Sequence, residues 1–479
     1  MTTANLSVWL RARLTGLLRN RGILQLTAFD TATVESRSNE RIRRASLSAA
    51  TSAAAKGIAL VTTAISVPLT LGYLGSDRFG VWMTLSALIA LLGFTDLGIG
   101  NSLLNGVAHA LGREDWTLVR ANISSGIVML IAVAVGFGLL FATVYGFIPW
   151  GRLFGVASPA ALNEAGPAAA VLIVCFLVGI PAGAFQQVRV GLQQGYINSI
   201  FVGAGNIGGL ALVIWAIQMR LGLPWLVLAM AGAPVLATLA NGFALVVRSP
   251  WLRPTLHAVD FVVVRSLFRT GLSFLVLELA FAVAWTSNSV IIAAMLGPSA
   301  VAEYAVVSKL FMIPTFLVSF AIGPLWPAYR EALSHDDVEW VRRVFGRSIR
   351  LSVLVAGSVS ATLMVIGLPV ITVWVGTSSV HPSLGLVTAM GIWTILNTLG
   401  YAVSVLLNGV QAMRFQVVTA SLMATASVLL SIALTSRIGI AGVVWGGAIA
   451  IVVFELFPMA VYVPRLLARL ESDSVHPRG

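Results

Sequence analysis

Residues 71–105 read LGYLGSDRFGVWMTLSALIALLGFTDLGIGNSLLN, and this stretch gives the clearest indication of the architecture. Asp96 is the only charged residue between positions 79 and 97, so the run is about 19 residues long. At about 1.5 Å per residue, a helix of this length crosses the roughly 30 Å hydrocarbon core of a bilayer. The stretch therefore predicts a membrane span at 79–100, with a glycine-containing loop before it and a polar exit after it.

The rest of the chain continues this pattern. Its 479 residues are 58% hydrophobic and only 10% charged, a composition that excludes a soluble globular protein. A single cysteine, Cys175, excludes a disulfide framework and a thiolate metal site. We expect an all-α integral membrane protein with about 12 transmembrane helices. The twelve apolar stretches are 47–72, 79–100, 122–148, 166–188, 196–218, 223–247, 268–296, 299–326, 348–374, 383–408, 415–436 and 439–463.

The arginines indicate how these spans are oriented. With a cytoplasmic N-terminus, 24 arginines fall on the cytoplasmic side, and four fall outside, namely Arg78, Arg152, Arg220 and Arg437. Such a bias follows the positive-inside rule, so we expect a plasma (inner) membrane protein with both termini in the cytoplasm. The net charge of +12 then needs no nucleic acid to explain it.

Two sequence matches indicate an internal repeat. Leu74-Gly75 recurs in the second half of the chain as Leu296-Gly297, and Gly191-Leu-Gln193 recurs there as Gly409-Val-Gln411, at a nearly equal offset. Because each half holds six spans, an even number, the halves are parallel lobes with a central cavity between them. The expected organisation is a basic cytoplasmic segment, two lobes joined by a cytoplasmic linker, and a cytoplasmic tail: 1–46, 47–247, 248–267, 268–463 and 464–479.

Three runs carry a resemblance to a known family. The chain resembles the polysaccharide transporter family in these segments: DLGIGNSLLNGVAHALGR, AAMLGPSAVAEYAVVSKLF with PLWPAYREAL, and VGLQQGY. That family flips undecaprenyl-linked oligosaccharides within the multidrug/oligosaccharidyl-lipid/polysaccharide flippase superfamily. The resemblance covers most of residues 47–463 and implies a cavity lined by the first, second, seventh and eighth helices. Relatives often carry Asp where this chain has Asn288, so the resemblance gives that position no ion-coupling role.

The only two lysines lie inside predicted spans, Lys56 in the first and Lys309 in the eighth. A lysine that faces lipid at the bilayer centre costs about 2.5–3.5 kcal/mol, so we expect both to face the cavity. With the helix arrangement that the resemblance implies, the two ammonium groups lie on opposing walls and bind an anionic pyrophosphate headgroup. The alternative for Lys56 is a side chain that snorkels to the cytoplasmic lipid headgroups.

Two carboxylates in the spans are candidates for ion coupling. Glu278 in the seventh span and Glu455 in the twelfth would bind a cation or a proton, or form ion pairs that hold the lobes together. The family's cavity does not use the twelfth helix, which favours a structural role for Glu455.

Three polar residues are further candidates for substrate contact. Gln187 and Arg189 end the fourth span and are expected to meet the substrate at the cytoplasmic rim, with a plain loop as the alternative. Asn288 would bind a sugar, or hydrogen-bond a neighbouring helix.

These features predict a flippase that moves a polyprenyl-pyrophosphate-linked oligosaccharide from the cytoplasmic to the outer leaflet by alternating access, coupled to an ion gradient or the membrane potential. The sequence has no Walker motif and no nucleophile with a base beside it, so we expect no cofactor, no metal and no enzymatic activity. The expected partners are the lipid-linked substrate, membrane lipids and polysaccharide-assembly proteins, and we expect a monomer.

Three alternatives stay open. A multidrug cation exporter of the same superfamily would require an anionic cavity, so the lysines count against it. A membrane-embedded polysaccharide polymerase or glycosyltransferase would require catalytic carboxylates in a large polar loop, and the longest external loop, 149–165, has only Glu164. The third alternative is a scaffold that transports nothing.

Overall fold

The computed structural model describes residues 34–91, 95–150, 159–375 and 382–475. Within these ranges the regular structure is helical, because a chain in lipid must satisfy its own backbone hydrogen bonds. We number the helices α1 (Val34–Leu91), α2 (Ile99–Gly112), α3 (Trp116–Tyr145), α4 (Pro159–Gly191), α5 (Gly195–Gln218), α6 (Leu223–Arg248), α7 (Phe261–Leu296), α8 (Pro298–Ile322), α9 (Leu325–Ser334), α10 (Val338–Val375), α11 (Leu384–Val410), α12 (Met413–Ile438) and α13 (440–475).

Eleven helices of the described chain are long and apolar enough to cross a membrane. They match eleven of the twelve predicted spans, which confirms an all-helical membrane protein. Several helices extend beyond the predicted spans. For example, α7 begins at Phe261, inside the predicted linker, where the Asp260 carboxylate accepts a hydrogen bond from the Val262 amide at 2.7 Å. Likewise α1 begins at Val34, inside the predicted N-terminal segment, whose residues 1–33 lie outside the described residues.

The loop predicted before the second span is wrong. Helix α1 continues from Val34 to Leu91, through the glycine-containing segment 73–78. The matching helix pair in the second half does break, because Gly297 has a φ of +89° and Pro298, which lacks an amide hydrogen, starts the next helix. The first half has Ser76 where the second has Pro298, and a glycine alone costs a helix only about 1 kcal/mol. Helical hydrogen bonding therefore continues.

The internal repeat is visible as equivalent contacts in the two halves. A Cβ added at Gly191 would lie 2.9 Å from the carbonyl oxygen of Leu104, and one at Gly409 would lie 3.1 Å from the carbonyl oxygen of Trp326. Leu104 and Trp326 are themselves equivalent positions of the repeat. The interval between them equals the interval between the two Leu-Gly pairs. The close approach of α4 to α2 is thus repeated by that of α11 to α9, and only glycine permits it.

Backbone conformations repeat in the same way. Glu114 and Asp336 have φ values of +55° and +57°, and Gln193 and Gln411 have φ values of +57° and +59°. The last transmembrane helix of each half also contains a single π turn, at Leu228–Gly232 and at Val452–Leu456. These pairs show that the second half of the chain repeats the structure of the first.

The connections divide into two groups at opposite ends of the helices. Tyr73 donates a hydrogen bond to the Leu221 carbonyl at 2.9 Å, and Arg78 forms an ion pair with Glu164 at 3.6 Å. Three of the predicted outer connections therefore meet at one end. The start of α1 lies at the other end with α2 and α9, and we refer to this end as the predicted cytoplasmic side.

Candidate substrate cavity

A cavity of about 310 Å³ lies between the two halves. Helix α1 provides its two cationic lining residues, Arg44 and Lys56. Among the described residues, no carboxylate lines this space. Its other polar lining residues are Ser48, Ser52, Gln193, Asn198, Ser199, Ser319 and Tyr401. We call this space the cationic cavity.

Lys56 reaches from the first half to the second. Its Nζ lies 5.0 Å from the ring centroid of Phe316 and 4.6 Å from that of Phe320, both on α8. The faces of aromatic rings attract a cation, so these rings hold the ammonium group at the interface between the halves. One turn earlier on α1, the hydroxyl oxygens of Ser52 and Ser199 are 2.9 Å apart, which fixes α1 against α5.

Contacts join the two halves on the predicted cytoplasmic side of this cavity. Arg41 is 4% exposed and forms ion pairs with Glu331 and with Asp337, the latter over 2.8 Å. Nearer the cavity, the Trp326 indole donates a hydrogen bond to Asn105 Oδ1 at 2.7 Å. We call these five residues the cytoplasmic floor.

Glu278 occupies the position in α7 that Lys56 occupies in α1, because the repeat interval between Leu74 and Leu296 also separates these two residues. It too crosses between the halves: its Oε1 accepts a hydrogen bond from Asn101 Nδ2 of α2 at 2.9 Å. Asp96 lies at the start of the same helix and accepts a hydrogen bond from the Gly98 amide at 2.9 Å. Equivalent positions of the two halves thus carry opposite charges, and each charged side chain contacts the other half.

Lys309 lies on α8, seven residues before Phe316 and therefore on the same helical face. Because Phe316 contacts Lys56, this face is directed toward the first half. The Lys309 side chain is exposed and has no ion pair or hydrogen bond with other described residues. Two helical turns correspond to about 10 Å, so Lys309 lies beyond the cationic cavity, toward the outer side.

Two predicted site residues, Arg189 in the first half and Asn288 in the second, are each buried within their own half. Arg189 is 2% exposed and donates hydrogen bonds to Asn241 Oδ1 at 2.6 Å and to Gln194 Oε1 at 2.8 Å. Asn288 is 5% exposed and donates to the Tyr304 hydroxyl at 3.2 Å, between α7 and α8. Neither residue lines the cationic cavity, because each donor is satisfied by its own half.

The remaining two predicted site residues, Gln187 and Glu455, lie outside the cationic cavity. Gln187 lines a separate cavity of about 460 Å³ inside the first half, together with Asp96 and Cys175. Glu455 lies in the π turn of α13 against α11, where a Cβ on Gly400 would be 3.0 Å from its Oε1. Neither residue lines the cationic cavity.

The family described as "Polysaccharide biosynthesis protein" matches residues 46–332, more than half of the chain. The chain belongs to this polysaccharide biosynthesis protein family. The match includes Lys56 but not Arg44, and it continues into α9. No curated protein sequence matches this chain significantly.

Solved transporters share the fold of this chain. An outward-facing multidrug resistance MATE family transporter of the MOP superfamily has a TM-score of 0.73 and 14% identity, covering 90% of this chain and 96% of that one. A MOP superfamily transporter from Pyrococcus furiosus, described as having a binding pocket of reverse polarity that suggests a different function, has a TM-score of 0.75 and 13% identity, covering 90% and 96%. At these identities the likeness shows the fold alone, and it agrees with the superfamily that the sequence resembles.

Arg44 lines the cationic cavity, and the sequence analysis missed it. It precedes the first apolar run, so its position predicts a cytoplasmic segment. In the structure α1 begins well before that run, and Arg44 lines the cationic cavity while its Nε donates to Glu40 Oε1 at 2.7 Å. The available signal was the spacing of four residues from Arg44 through Ser48 and Ser52 to Lys56, which places polar side chains along one side of a helix.

Proposed function

We propose that this polysaccharide biosynthesis protein moves a polyprenyl-pyrophosphate-linked oligosaccharide from the cytoplasmic to the outer leaflet by alternating access. The observation that carries this proposal is a cavity between the halves that contains Lys56 and Arg44 and, among the described residues, no carboxylate. A pyrophosphate that leaves water requires charge-assisted hydrogen bonds in exchange, and an ammonium and a guanidinium group supply them. Asn198, Ser52 and Tyr401 add neutral donors.

The closed cytoplasmic floor corresponds to one of the two states that such transport requires. In this state the headgroup would have access to the outer side. To admit the headgroup from the cytoplasm, Arg41 must separate from Glu331 and Asp337, and Trp326 from Asn105. Because Arg41 lies on α1 and its partners belong to the second half, this separation is a movement of one half relative to the other.

Glu278 is the residue that we assign to coupling. Its hydrogen bond to Asn101 joins the two halves in this state and is lost when they separate. A carboxylate left without this donor in the membrane interior would be neutralised by a proton or a small cation. Uptake and release of that ion would then accompany each cycle, with Lys309 as a further cationic contact for the anionic substrate on the outer side.

The test is a flipping assay in proteoliposomes with a fluorescent polyprenyl-pyrophosphate disaccharide, in which a membrane-impermeant reductant quenches the outer leaflet. Lys56→Gln and Arg44→Gln should each slow flipping at least about tenfold, because one charge-assisted contact is removed. Lys56→Arg should retain most activity, and Arg343→Gln, an exposed arginine on α10, should behave as wild type. Wild-type flipping by the Lys56→Gln, Arg44→Gln double variant would refute the proposal.

A multidrug cation exporter is the second candidate, and one observation favours it. Phe281 and Trp285 lie three and seven residues after Glu278, so they share its helical face and could hold an organic cation beside a carboxylate. The same proteoliposomes decide between the candidates. Accumulation of ethidium that Glu278→Gln abolishes, without any flipping of the pyrophosphate lipid, would favour the exporter.

A further inference from the structure

A third cavity, of about 300 Å³, lies in the wall of the second half between α7, α8 and α11. Five aromatic side chains line it, together with Met312, Met390 and a few hydroxyl and amide groups. We call it the aromatic pocket. The rings belong to Phe281, Trp285, Phe311, Phe316 and Trp393, and the polar groups are those of Ser308, Thr315, Thr394 and Asn397.

The aromatic pocket opens toward the first half. Trp285 follows Glu278 by seven residues and shares its helical face, and Glu278 contacts Asn101 of the first half. Phe316, on the opposite side of the pocket, contacts Lys56 of the first half. Both helices therefore present the pocket to the space between the halves.

The geometry of the rings suits a flat ligand with C–H groups on its faces. The ring centroids of Trp285 and Trp393 are 5.1 Å apart with an angle of 52° between the planes, and Phe281 stacks on Trp285 at 6.5 Å and 16°. Aromatic faces carry partial negative charge and attract C–H groups that carry partial positive charge. A sugar ring has such C–H faces and carries hydroxyl groups at its edge, which the Asn397 amide and the Thr315 hydroxyl could bind. A hydrocarbon chain would leave the Asn397 amide without a partner.

The pocket is also adjacent to the cationic cavity. Phe316 lines the aromatic pocket, and its ring centroid is 5.0 Å from Lys56 Nζ. In a lipid-linked oligosaccharide the first sugar is bonded directly to the pyrophosphate. A pyrophosphate on Lys56 therefore brings that sugar to the mouth of the aromatic pocket.

We propose that the aromatic pocket binds the first sugar ring of the lipid-linked oligosaccharide, with one C–H face of the sugar against the adjoining rings of Trp285 and Trp393 and with Asn397 at its edge. This inference rests on the proposed function, because it requires the pyrophosphate to lie at Lys56.

The experiment compares ligands with and without a sugar on the full chain in detergent. Isothermal titration calorimetry would measure the affinity of citronellyl pyrophosphate and of its N-acetylglucosaminyl, glucosyl and galactosyl derivatives. We expect at least one sugar to raise the affinity of the wild type about tenfold. Trp285→Ala and, independently, Asn397→Ala should remove most of that gain while the affinity for the sugar-free ligand stays within about twofold. Trp251→Ala, an exposed tryptophan on the connection between the halves, is the matched control and should keep the full gain.

The outcomes separate the two proposals. The sugar site is refuted if no derivative binds more tightly than citronellyl pyrophosphate, if the gain persists in both variants, or if the variants weaken the sugar-free ligand equally. The proposed headgroup site fails instead if citronellyl pyrophosphate binds Lys56→Gln as tightly as wild type, and the sugar assignment then falls with it.

Discussion

Charged side chains in the spans of this protein have two different fates, and sequence alone does not separate them. Arg189 donates its hydrogen bonds within one half, whereas Lys56 and Glu278 reach across to the other half. The cost of an unpaired charge in lipid predicts only that each residue has a partner. Which partner it has depends on tertiary packing, such as the approach of Asn241 on α6 to Arg189 on α4.

Arg189 is expected to support stability rather than substrate binding. Hydrogen bonds from a charged donor are worth about 1.5–3 kcal/mol each, so Arg189→Ala should lower the free energy of unfolding by about 3 kcal/mol. Unfolding in detergent measures this change, and the affinity of the folded fraction for citronellyl pyrophosphate should be unchanged. Arg343→Ala, which removes an exposed pair within one helix, should cost less than about 0.5 kcal/mol. Normal stability with lost binding would contradict this assignment.

His109 on α2 is expected to make stability depend on pH. Burial, together with the charges of Arg330 and Arg113, lowers the pKa of His109 from 6.5 to about 4. Because the folded pKa is below the unfolded one, the unfolded chain binds more protons between these values, and stability falls as the pH decreases from about 6.5 to about 4. The loss has an upper limit of about 3 kcal/mol, which partial contact with solvent reduces.

Thermal unfolding of the full chain at about pH 7 and about pH 4.5 tests this dependence. His109→Asn should lose less stability between the two pH values than wild type, since the asparagine does not titrate. His257→Asn changes an exposed histidine and should match wild type. Equal losses in wild type and His109→Asn would exclude His109 as the source.

At the scale of helices, the sequence predicts what hydrophobicity controls. Eleven of the twelve apolar stretches became membrane-crossing helices, because a run of that length in lipid satisfies its backbone only as a helix. The ends of helices depend on single residues instead. Gly297 and Pro298 end α7 at Leu296, whereas Ser76, at the position equivalent to Pro298, does not end α1. The sequence did not identify Arg44 as a cavity residue for the same reason. An apolar run does not show how far the polar segment before it continues the helix.

The pairing of α1 with α9 and α10 is expected to hold the cytoplasmic floor closed. Removing one partner of a buried ion pair leaves an unpaired charge, which costs about 3–5 kcal/mol. Arg41→Ala should therefore favour the state in which the floor is open. In a Cys175→Ser background, a cysteine replacing Ser48 in the cationic cavity would report this state.

A membrane-impermeant thiol reagent applied to the cytoplasmic face of inside-out vesicles should label Ser48→Cys at least about tenfold faster when Arg41→Ala is present. Arg343→Ala is the control because its ion pair lies within α10 and does not join the halves. Unchanged labelling in Arg41→Ala would show that other contacts keep the floor closed.

At the scale of the molecule, the two halves share a fold but differ in charge. The loops after α2 and α9, the glycine contacts of α4 and α11, and the π turns of α6 and α13 all repeat. At the equivalent positions in α1 and α7, however, one half carries Lys56 and the other Glu278. In the function that we propose, this asymmetric pair of charges in a symmetric frame lets one half bind the anionic headgroup and the other bind the coupling ion.

Exchanging the two charges tests whether they have separate roles. If Lys56 and Glu278 acted mainly as an ion pair between the halves, the Lys56→Glu, Glu278→Lys double variant would restore the activity that each single variant lacks. In the structure, however, Lys56 lies over Phe316 and Phe320, and a carboxylate there would face two rings whose faces repel anions. We therefore expect the double variant to flip the fluorescent lipid as poorly as the single variants, at least about tenfold below wild type, with normal membrane insertion. Recovery of flipping would instead show that the two charges are interchangeable, and that neither is specific for the headgroup or for the coupling ion.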